Sequence, residues 1–384
     1  MSVQVVVLGA GYAGAAAVRR LESRLDDDVA LTWISEHDYH LVLHEVHRLI
    51  SDPDARSSVT VPVDQITSGR TKFVADRVVG VDGDDRLVEL ADGDDVSYDY
   101  LLVALGSRTA FYGIPGLAEN ALTLKSLDDA LAIHETLSEA AATATPADPV
   151  SVVVGGAGLS GVQTAGEVAE FRDEHDAAVE IALVEALDEI MPGQDPRLQG
   201  AVRERLEARD IEILTDDPIV EAAEDRIHFD RGDPLDYDVL VWTGGITGQV
   251  ALDETDIENN HSRLLAEATF ETSDERVFAV GDAAVVDQGS DPAPPTAQAA
   301  WQAAEVAADN LVARIEGGPL STWTYDDKGT LVSIGEKAVA HDIDGLPVTT
   351  FGGAPAVALK KLVAARWIAG LTSWSDGISR WGDL

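Results

Sequence analysis

Two glycine-rich turns have residue spacings suited to phosphate binding. In the first, Gly9, Gly11 and Gly14 follow the apolar run at residues 5–8 and precede an alanine-rich run. The apolar run predicts a buried strand, and the alanine-rich run predicts a helix. We expect Gly9 to allow a tight turn, Gly11 to let a pyrophosphate approach the backbone, and Gly14 to let the helix pack closely on the strand. The free N–H groups at the helix start would bind the phosphates. The alternative is a structural turn in another kind of α/β protein.

The second turn repeats this spacing at Gly156, Gly158 and Gly161, again between a predicted strand and a predicted helix. An acidic residue ends the strand that follows each turn, Glu36 for the first and Glu185 for the second. A carboxylate at this place accepts hydrogen bonds from a ribose 2′-hydroxyl and repels a 2′-phosphate. The sequence therefore predicts two dinucleotide sites and favours NADH over NADPH at the second.

Three further predicted strands end in small residues that let a nucleotide come close to the backbone. These residues are Ala104 with Gly106, Gly244 with Gly245, and Gly281 with Asp282. The carboxylate of Asp282 adds a polar group that can reach a ribityl chain or a phosphate-bearing segment.

His40, His44 and His47 have helical spacing and could share a face, but packing or surface roles are favoured and no metal is predicted. The chain has no cysteine, which excludes disulfides, thiolate-bound iron–sulfur clusters and cysteine nucleophiles.

The chain is strongly acidic. Its 384 residues include 69 acidic and 27 basic residues, for a net charge of −42. This charge disfavours a nucleic-acid partner, because two polyanions repel each other. It also destabilises a compact state unless salt screens it. Because the acids are spread along the chain and 45% of the residues are hydrophobic, the composition favours a salt-rich cytosol, as in a halophile, over disordered acidic tails.

The elements that must position these residues alternate between strands and helices, which predicts an α/β fold with two Rossmann-like units. Residues 73–82 and 86–90 predict two strands around a turn. Helices are expected at 126–142, 197–209 and 297–315. We expect neither a signal segment nor a membrane-spanning helix, because the first strand begins at once and no run of about 18 uncharged apolar residues occurs.

The C-terminal stretch differs from the rest of the chain. It has no acidic residue between residues 345 and 375. Its basic residues include Lys360, Lys361 and Arg366. Its tryptophans recur every seven residues, at Trp367, Trp374 and Trp381. On one helix these rings would lie near one face, which predicts a helix in a membrane interface. The alternatives are a buried C-terminal helix and a subunit interface.

The paired turns and the Gly281–Asp282 strand end resemble the two-dinucleotide flavoproteins, in which an NAD(P)H-binding half is inserted into an FAD-binding half. Within that family the chain resembles type II NADH dehydrogenases (NADH:quinone oxidoreductases), from about residue 3 to residue 371. This closer resemblance rests on residues 103–116, on the segment Ala297-Gln298-Ala299-Ala300-Trp301-Gln302, and on residues 327–335.

The resemblance implies FAD and NADH as cofactors, with hydride transfer from NADH to the flavin and then two-electron transfer to a quinone. It implies FAD contacts at Gly9, Gly11, Gly14, Val78, Ala104, Gly106, Gly281 and Asp282, with the ribose contact at Ser35 or Glu36. It implies NADH contacts at Gly156, Gly158, Gly161, Glu185, Gly244 and Gly245. It places Ala297, Gln298 and Gln302 at the flavin edge and the quinone border. The alternative is that Gln298 and Gln302 are ordinary helix residues. The family usually has acids where Ser35 and Gln163 stand. The second acid of the pattern around Gln163 remains as Glu167, which is the candidate for a carboxylate near the nicotinamide or on the proton path. The alternative is an acid that is favoured near a helix start by the helix dipole.

The resemblance also implies a domain order. We expect an FAD-binding domain at 1–112 and 246–316, an NAD(H)-binding domain at 113–245, and a C-terminal membrane-surface or interface segment at 317–384. The implied partners are a quinone, with menaquinone favoured, and the inner face of the cell membrane, to which a cytoplasmic protein would bind peripherally. A homodimer stays open. So do two other functions, a ferredoxin-type NAD(P)H reductase and a non-catalytic flavoprotein sensor.

Overall fold

Two parallel sheets position the glycine-rich turns in the computed structural model, which describes residues 2–289 and 291–381. In chain order the strands are β1 (Gln4–Leu8), β2 (Ala30–Ser35), β3 (Tyr39–Leu41), β4 (Thr60–Pro62), β5 (Lys72–Ala75), β6 (Val78–Asp82), β7 (Leu87–Leu90), β8 (Val96–Ser97), β9 (Tyr100–Val103), β10 (Arg108–Thr109), β11 (Val150–Gly155), β12 (Val179–Val184), β13 (Ile211–Leu214), β14 (Ile219–Ala222), β15 (Arg226–Phe229), β16 (Leu235–Asp236), β17 (Val239–Trp242), β18 (Ile246–Thr247), β19 (Asn259–Asn260), β20 (Arg263–Ala266), β21 (Val277–Ala279), β22 (Ala284–Val286), β23 (Thr330–Ile334), β24 (Lys337–His341) and β25 (Thr350–Gly352).

The helices cover the two sheets and form the C-terminal end. The α-helices are α1 (Tyr12–Arg24), α2 (Arg56–Val59), α3 (Val63–Ile66), α4 (Leu117–Asn120), α5 (Leu127–Ala141), α6 (Leu159–His175), α7 (Pro196–Glu207), α8 (Ala297–Glu316), α9 (Ala354–Leu371) and α10 (Trp374–Ser379). Short 3₁₀ helices lie at Leu43–Ile50, Pro53–Ala55, Val250–Leu252 and Gly281–Ala283.

The first sheet has the strand order β21-β9-β1-β2-β5 and is parallel throughout. Residues 5–8 of β1 are completely buried, because strands flank β1 on both sides and α1 packs with α8 over the sheet. Burial on both faces explains why this strand is a continuous apolar run. Four of the five strands precede residue 113, and β21 returns from beyond residue 246.

The second sheet has the order β13-β12-β11-β17 and is also parallel. All four strands lie between residues 113 and 245. The chain leaves the first sheet through β10 and returns through β18, and these two crossings pair antiparallel. The predicted α/β class with two Rossmann-like units is confirmed.

The strand predicted over residues 73–82 is wrong as a single element. Its first part is β5, at the edge of the first sheet, and its second part is β6, in an antiparallel sheet with β7 and β8. The carboxylate of Asp76 accepts the backbone N–H groups of Arg77 and Gly93, each at 2.7 Å. This side chain therefore stabilises a turn that redirects the chain between the two sheets.

The expectation that the C-terminal tryptophans share one helical face is also wrong. Helix α9 ends at Leu371 and α10 starts at Trp374. Trp367 is 2% exposed, and its indole N–H donates to His40 Nε2 at 2.9 Å, whereas Trp374 is 70% exposed. Trp367 thus belongs to the core, and Trp374 does not. Within residues 2–289 and 291–381, no helix is long and apolar enough to cross a membrane.

Candidate active site

The first glycine turn forms an open cradle at the end of β1. Gly9 has a φ of +93°, and its N–H donates to the carbonyl of Ile34 at 2.8 Å. A Cβ on Gly14 would lie 1.9 Å from the Gly9 carbonyl oxygen, so only glycine allows this approach of α1. A Cβ on Gly11 would meet nothing within 4 Å. Since no side chain caps α1, its first N–H groups and the space above Gly11 fit a pyrophosphate.

A cleft of about 1770 Å³ extends from this cradle. It brings together nearly all the residues predicted to hold the first nucleotide. Those that line it are Gly9, Gly11, Ser35, Glu36, Val78, Ala104, Gly106, Gly281, Asp282, Ala297 and Gln298, together with Gln302. Gly14 lies beneath the turn, where it allows close packing of the helix.

The cleft also contains a lysine that sequence reasoning missed. Lys125 donates from Nζ to Ser107 Oγ at 3.2 Å, and Ser107 in turn donates to Asp282 Oδ2 at 3.0 Å. Burial lowers the pKa of Lys125 in spite of the nearby carboxylate of Asp282. A basic residue just before a predicted helix in a lysine-poor chain is the only sequence signal for it.

The second glycine turn repeats the first cradle. Gly156 has a φ of +89°, and a Cβ on Gly161 would lie 1.7 Å from the Gly156 carbonyl oxygen. The Cβ position of Gly158 is open, and no side chain caps α6. Gly244 lies against the turn, since a Cβ on Gly156 would come within 2.8 Å of its backbone. The next residue, Gly245, has a φ of +73°. These features fit a second pyrophosphate.

Glu185 is more firmly held than the sequence suggested. Its side chain is 9% exposed, and its two oxygens accept the backbone N–H groups of Ala157 at 2.8 Å and Leu187 at 3.1 Å. The carboxylate therefore ties the glycine turn to the loop that follows β12. Each oxygen retains a lone pair for a ribose hydroxyl.

Glu167 lies in a buried polar cluster beside the cleft. It is 4% exposed, its Oε2 accepts a hydrogen bond from Ser51 Oγ at 2.7 Å, and its Oε1 lies 3.9 Å from His47 Nε2. Burial raises the pKa of Glu167 to about 7, although the Ser51 hydrogen bond and the charge of Lys360 act in the opposite direction. The carboxyl group can therefore hold or release a proton near neutral pH.

Lys360 of α9 connects the C-terminal segment to this cluster. Its Nζ lies 2.9 and 3.0 Å from the two carboxylate oxygens of Glu45 and donates to Ser333 Oγ at 3.0 Å. Burial favours a raised pKa for Glu45, but the ammonium of Lys360, together with His44 and Arg48, lowers the pKa below its ordinary value. The amide of Gln163 donates to Ser333 Oγ at 3.0 Å. No sequence signal pairs Glu45 with a residue so far along the chain.

The three histidines do not share a helical face. His40 lies in β3 and has hydrogen bonds on both ring nitrogens, to the Ala10 carbonyl and to Trp367. His44 and His47 lie in the 3₁₀ helix Leu43–Ile50. Burial lowers the pKa of His44 to about 4 and that of His47 well below its ordinary value. No cluster of histidine and carboxylate residues suited to a metal ion occurs in the described part of the chain.

Comparisons with known proteins agree with this geometry. Residues 3–304 match the family described as pyridine nucleotide-disulphide oxidoreductase. A type II NADH:quinone oxidoreductase of Staphylococcus saprophyticus is 29% identical, covering 94% of each chain, and a Staphylococcus aureus protein of the same name is 27% identical over 94% of each.

Solved structures share the fold. The structure of NDH2 from Plasmodium falciparum in complex with NADH has a TM-score of 0.84 at 17% identity, over 99% of this chain and 98% of that one. The sulfide:quinone oxidoreductase of Aquifex aeolicus has a TM-score of 0.78 at 20% identity, over 97% and 92%. With the family match spanning most of the sequence, this chain belongs to the pyridine nucleotide-disulphide oxidoreductase family.

Proposed function

We propose that this protein is an FAD-dependent NADH:quinone oxidoreductase. The observation that carries the proposal is the presence of two uncapped glycine cradles of the same backbone form, with both following helices starting at one cleft. Tyr12 and Ala13 of α1 and Leu159 and Ser160 of α6 all line that cleft. Two nucleotides bound at these helix starts would meet inside it. The relatives named type II NADH:quinone oxidoreductase support the choice of electron donor and acceptor.

The residues divide into two nucleotide sites. FAD, when bound, accepts a hydride and passes two electrons on. We assign its pyrophosphate to the N–H groups above Gly11, its ribose to Ser35 or Glu36, its adenine to the backbone at Val78, and its ribityl segment to Asp282. The remaining FAD contacts proposed are Gly9, Gly14, Ala104, Gly106, Gly281, Ala297 and Gln298. For NADH the proposed residues are Gly156, Gly158, Gly161, Glu185, Gly244 and Gly245.

Helix α8 contributes electrostatically to the reaction. Its first residue, Ala297, lines the cleft, and Thr296 caps it by accepting the N–H of Ala299 at 3.1 Å. The partial positive charge of the helix N-terminus would stabilise negative charge that develops in the cleft. Gln298 and Gln302 follow on the same helix at the proposed border of the quinone site.

The overall conversion consumes a proton, since NADH, a quinone and H⁺ give NAD⁺ and a quinol. We assign the supply of this proton to Glu167, which is the buried carboxyl group able to exchange a proton near pH 7. His47 is the next group toward the cleft: its Nε2 lies 3.9 Å from Glu167, and its ring lines the cleft wall. Gln163 cannot replace Glu167 in this role because an amide does not titrate.

The exposed apolar patch of the C-terminal segment supports a lipid-soluble acceptor. We define this patch as Leu362, Trp374 and Ile378, which are 49%, 70% and 69% exposed. Leu362 also lines the cleft, as does the exposed cation Arg366. We propose that the patch lies on the inner face of the cell membrane, where a quinone, menaquinone in our proposal, reaches the cleft directly. A homodimer interface would be the other occupant of this patch.

Paired substitutions test the patch. Trp374→Ser combined with Ile378→Ser should abolish cosedimentation with anionic liposomes while the protein keeps its monomeric or dimeric state. Val348→Ser, at another exposed apolar site, is the matched control. A change of oligomeric state with unchanged liposome binding would assign the patch to a subunit interface.

The function is tested by steady-state NADH oxidation in molar KCl, with a menaquinone analogue, a ferredoxin and oxygen offered separately. We expect NADH to bleach the bound flavin rapidly and the quinone to restore it. Preferential turnover with ferredoxin would make the protein a ferredoxin-type reductase, and bleaching without turnover would make it a sensor. A purified protein that binds no yellow prosthetic group would refute the FAD assignment and with it the proposed function.

A further inference from the structure

Four side-chain amides hold an irregular segment of backbone after α8. We call residues 321–329 the strap; they form neither helix nor strand. At its first residue, Asn310 Nδ2 donates to the Ser321 carbonyl and Asn310 Oδ1 accepts the Ser321 N–H, both at 2.8 Å. Gln288 acts likewise, donating to the Trp323 carbonyl at 3.2 Å and accepting the Tyr325 N–H at 2.8 Å.

Gln302 and Gln298 hold the part of the strap that lines the cleft. Gln302 Nε2 donates to the Asp326 carbonyl at 2.8 Å, and its Oε1 accepts the Asp326 N–H at 3.2 Å. Gln298 Oε1 accepts the Lys328 N–H at 2.7 Å, and its Nε2 donates to the Gly329 carbonyl at 3.2 Å. Each amide thus offers one donor and one acceptor to the strap, as a neighbouring β-strand would.

The spacing of the two glutamines matches the strap. Residues four apart on a helix are separated by about 6 Å along its axis. Two residues of extended chain span about 6.6 Å. Gln302 and Gln298 therefore reach Asp326 and Lys328, which are two residues apart, without distorting either partner. An i, i+4 pair of glutamines can in this way replace a β-strand partner for a segment that runs beside a helix.

These contacts leave little hydrogen-bonding capacity for a substrate. Gln302 Nε2 uses its second N–H on Gln298 Oε1, at 3.3 Å. Both N–H groups of Gln302 and both acceptor positions of Gln298 Oε1 are then occupied. A quinone carbonyl, which only accepts hydrogen bonds, finds no free donor on Gln302.

The strap and α9 both line the cleft. Tyr325 and Asp326 of the strap line the cleft together with Leu359 and Val363 of α9. Trp301, between the two glutamines on α8, also lines it and contacts Trp367 of α9, with ring centroids 4.6 Å apart. The strap therefore forms part of the cleft wall beside these residues of α8 and α9.

We propose that Gln298 and Gln302 are positioning residues, which shape the acceptor end of the cleft by holding the strap, and that Gln302 does so without binding the acceptor. We call this arrangement of the two glutamines and the strap the clamp. The identity of the acceptor, a quinone, rests on the proposed function; the clamp itself does not.

The test combines hydrogen exchange with kinetics in the full-length holoprotein. Gln302→Met keeps the length of the side chain but removes its hydrogen bonds, and Gln298→Met does the same for the second anchor. We expect exchange of strap amides, including Asp326 and Lys328, to accelerate about tenfold in each variant, since two hydrogen bonds are lost. The KM for the quinone should rise about tenfold in each variant. In Gln302→Met, whose side chain is not among the proposed FAD contacts, the rate of flavin bleaching by NADH should stay within about twofold. Gln65→Met, on the exposed face of α3, is the control for the substitution itself.

Two outcomes would overturn the clamp. A higher quinone KM with unchanged strap exchange would mean that the glutamines contact the acceptor directly. Faster exchange with an unchanged KM would mean that the strap does not shape the acceptor site. If NADH bleaches the flavin of the wild-type protein but no quinone is reduced, the proposed function is refuted and the clamp is not. The clamp is then tested by hydrogen exchange of the strap amides and by the KM for whichever acceptor the protein does reduce.

Discussion

The two glycine turns are nearly superimposable in backbone form. Gly11 has φ and ψ of −72° and −171°, and Gly158 has −72° and −169°. The N–H of Gly9 and that of Gly156 each donate at 2.8 Å to the strand that follows in the chain. In both turns the Cβ position of the middle glycine is open. Three glycines at the right spacing between strand and helix thus produce the same cradle in two different surroundings.

The surroundings differ in ways that bear on function. The acid after the first turn, Glu36, is 57% exposed, with Arg77 at 4.0 Å. The acid after the second turn, Glu185, is buried and bound to two backbone N–H groups. At the same distance along the two following helices, α1 carries Arg20 in a surface ion pair, whereas α6 carries the buried Glu167. The shared glycine spacing produces the same cradle in both turns. The residues packed around each turn determine whether the nearby charged side chains are exposed or buried.

The largest effect should come from the last glycine of each turn. In Gly14→Ala and Gly161→Ala the new Cβ would overlap a carbonyl oxygen of the turn, at 1.9 and 1.7 Å. Because both atoms belong to backbone, the helix must move off its strand. We expect each variant to lose about 4 kcal/mol or more of unfolding free energy, measured by denaturant titration in high salt. Near-equal losses of unfolding free energy would support the equivalence of the two turns. If one of the two variants kept the stability of the wild type, the two turns would not be equivalent.

The second largest effect should come from Glu167 of α6, whose contribution to stability depends on pH, whereas that of Arg20 of α1 does not. The raised pKa of Glu167, about 7 against an ordinary 4.5, means that the folded state holds its proton more tightly than the unfolded state. The contribution of Glu167 to stability is therefore retained below about pH 4.5 and lost as the pH rises through about 7. Relative to Glu167→Gln, the wild type should lose about 3 kcal/mol of unfolding free energy across this window.

Chemical denaturation between pH 4.5 and 8.5 measures this difference. Arg20→Gln, at the equivalent position of α1, is the control. The pKa of Arg20 is raised from an already high value by its hydrogen bond to Asp309, so its difference from the wild type should not vary with pH in this range. A pH-independent difference between the wild type and Glu167→Gln would contradict a buried carboxyl group that titrates near neutrality.

The third effect tests whether each cradle serves its own nucleotide. Valine at position 11 or 158 meets no protein atom within 4 Å of its Cβ, so folding should be nearly unaffected, but the side chain fills the space proposed for a pyrophosphate. Gly11→Val should weaken FAD binding about 100-fold, seen as loss of bound flavin. Gly158→Val should keep its flavin and raise the NADH concentration needed for bleaching by about 100-fold. Loss of flavin from Gly158→Val would show that the two sites are not separate.

The cradles were predictable from the sequence because every determinant is local: three glycines, the strand before them and the helix after them. The capped helix α5 was predictable for the same reason, since Ser126 and Asp129 form its capping box within one turn. Long-range pairs carry no such signal. Lys360 and Glu45 are 315 residues apart and meet only because α9 packs beside the cleft.

The errors in prediction have a common physical origin. The heptad spacing of Trp367 and Trp374 describes a face only if one helix runs through both, and the chain breaks that helix between them. The strand over 73–82 was split because Asp76 offered two backbone N–H groups a competing partner. In each case a local pattern was correct in its residues but was overridden by a turn or by burial of one side chain.

The smallest effect should come from substitutions of Glu185 and Glu36, the acids that follow the two turns. In Glu185→Gln one carboxylate oxygen becomes an NH₂ group, which cannot accept a backbone N–H, so one of the two ties to Ala157 and Leu187 is lost. We expect about a tenfold rise in the KM for NADH together with a loss of about 1–2 kcal/mol of stability. Glu36→Gln loses no such tie and should weaken FAD binding about threefold or less with unchanged stability. Stopped-flow bleaching, flavin titration and denaturation measure the three quantities. An equal loss of stability in the two variants would mean that the difference in burial between the two acids does not distinguish the turns. If only Glu185→Gln is destabilised and its KM for NADH rises, this carboxylate both stabilises the glycine turn and binds the ribose.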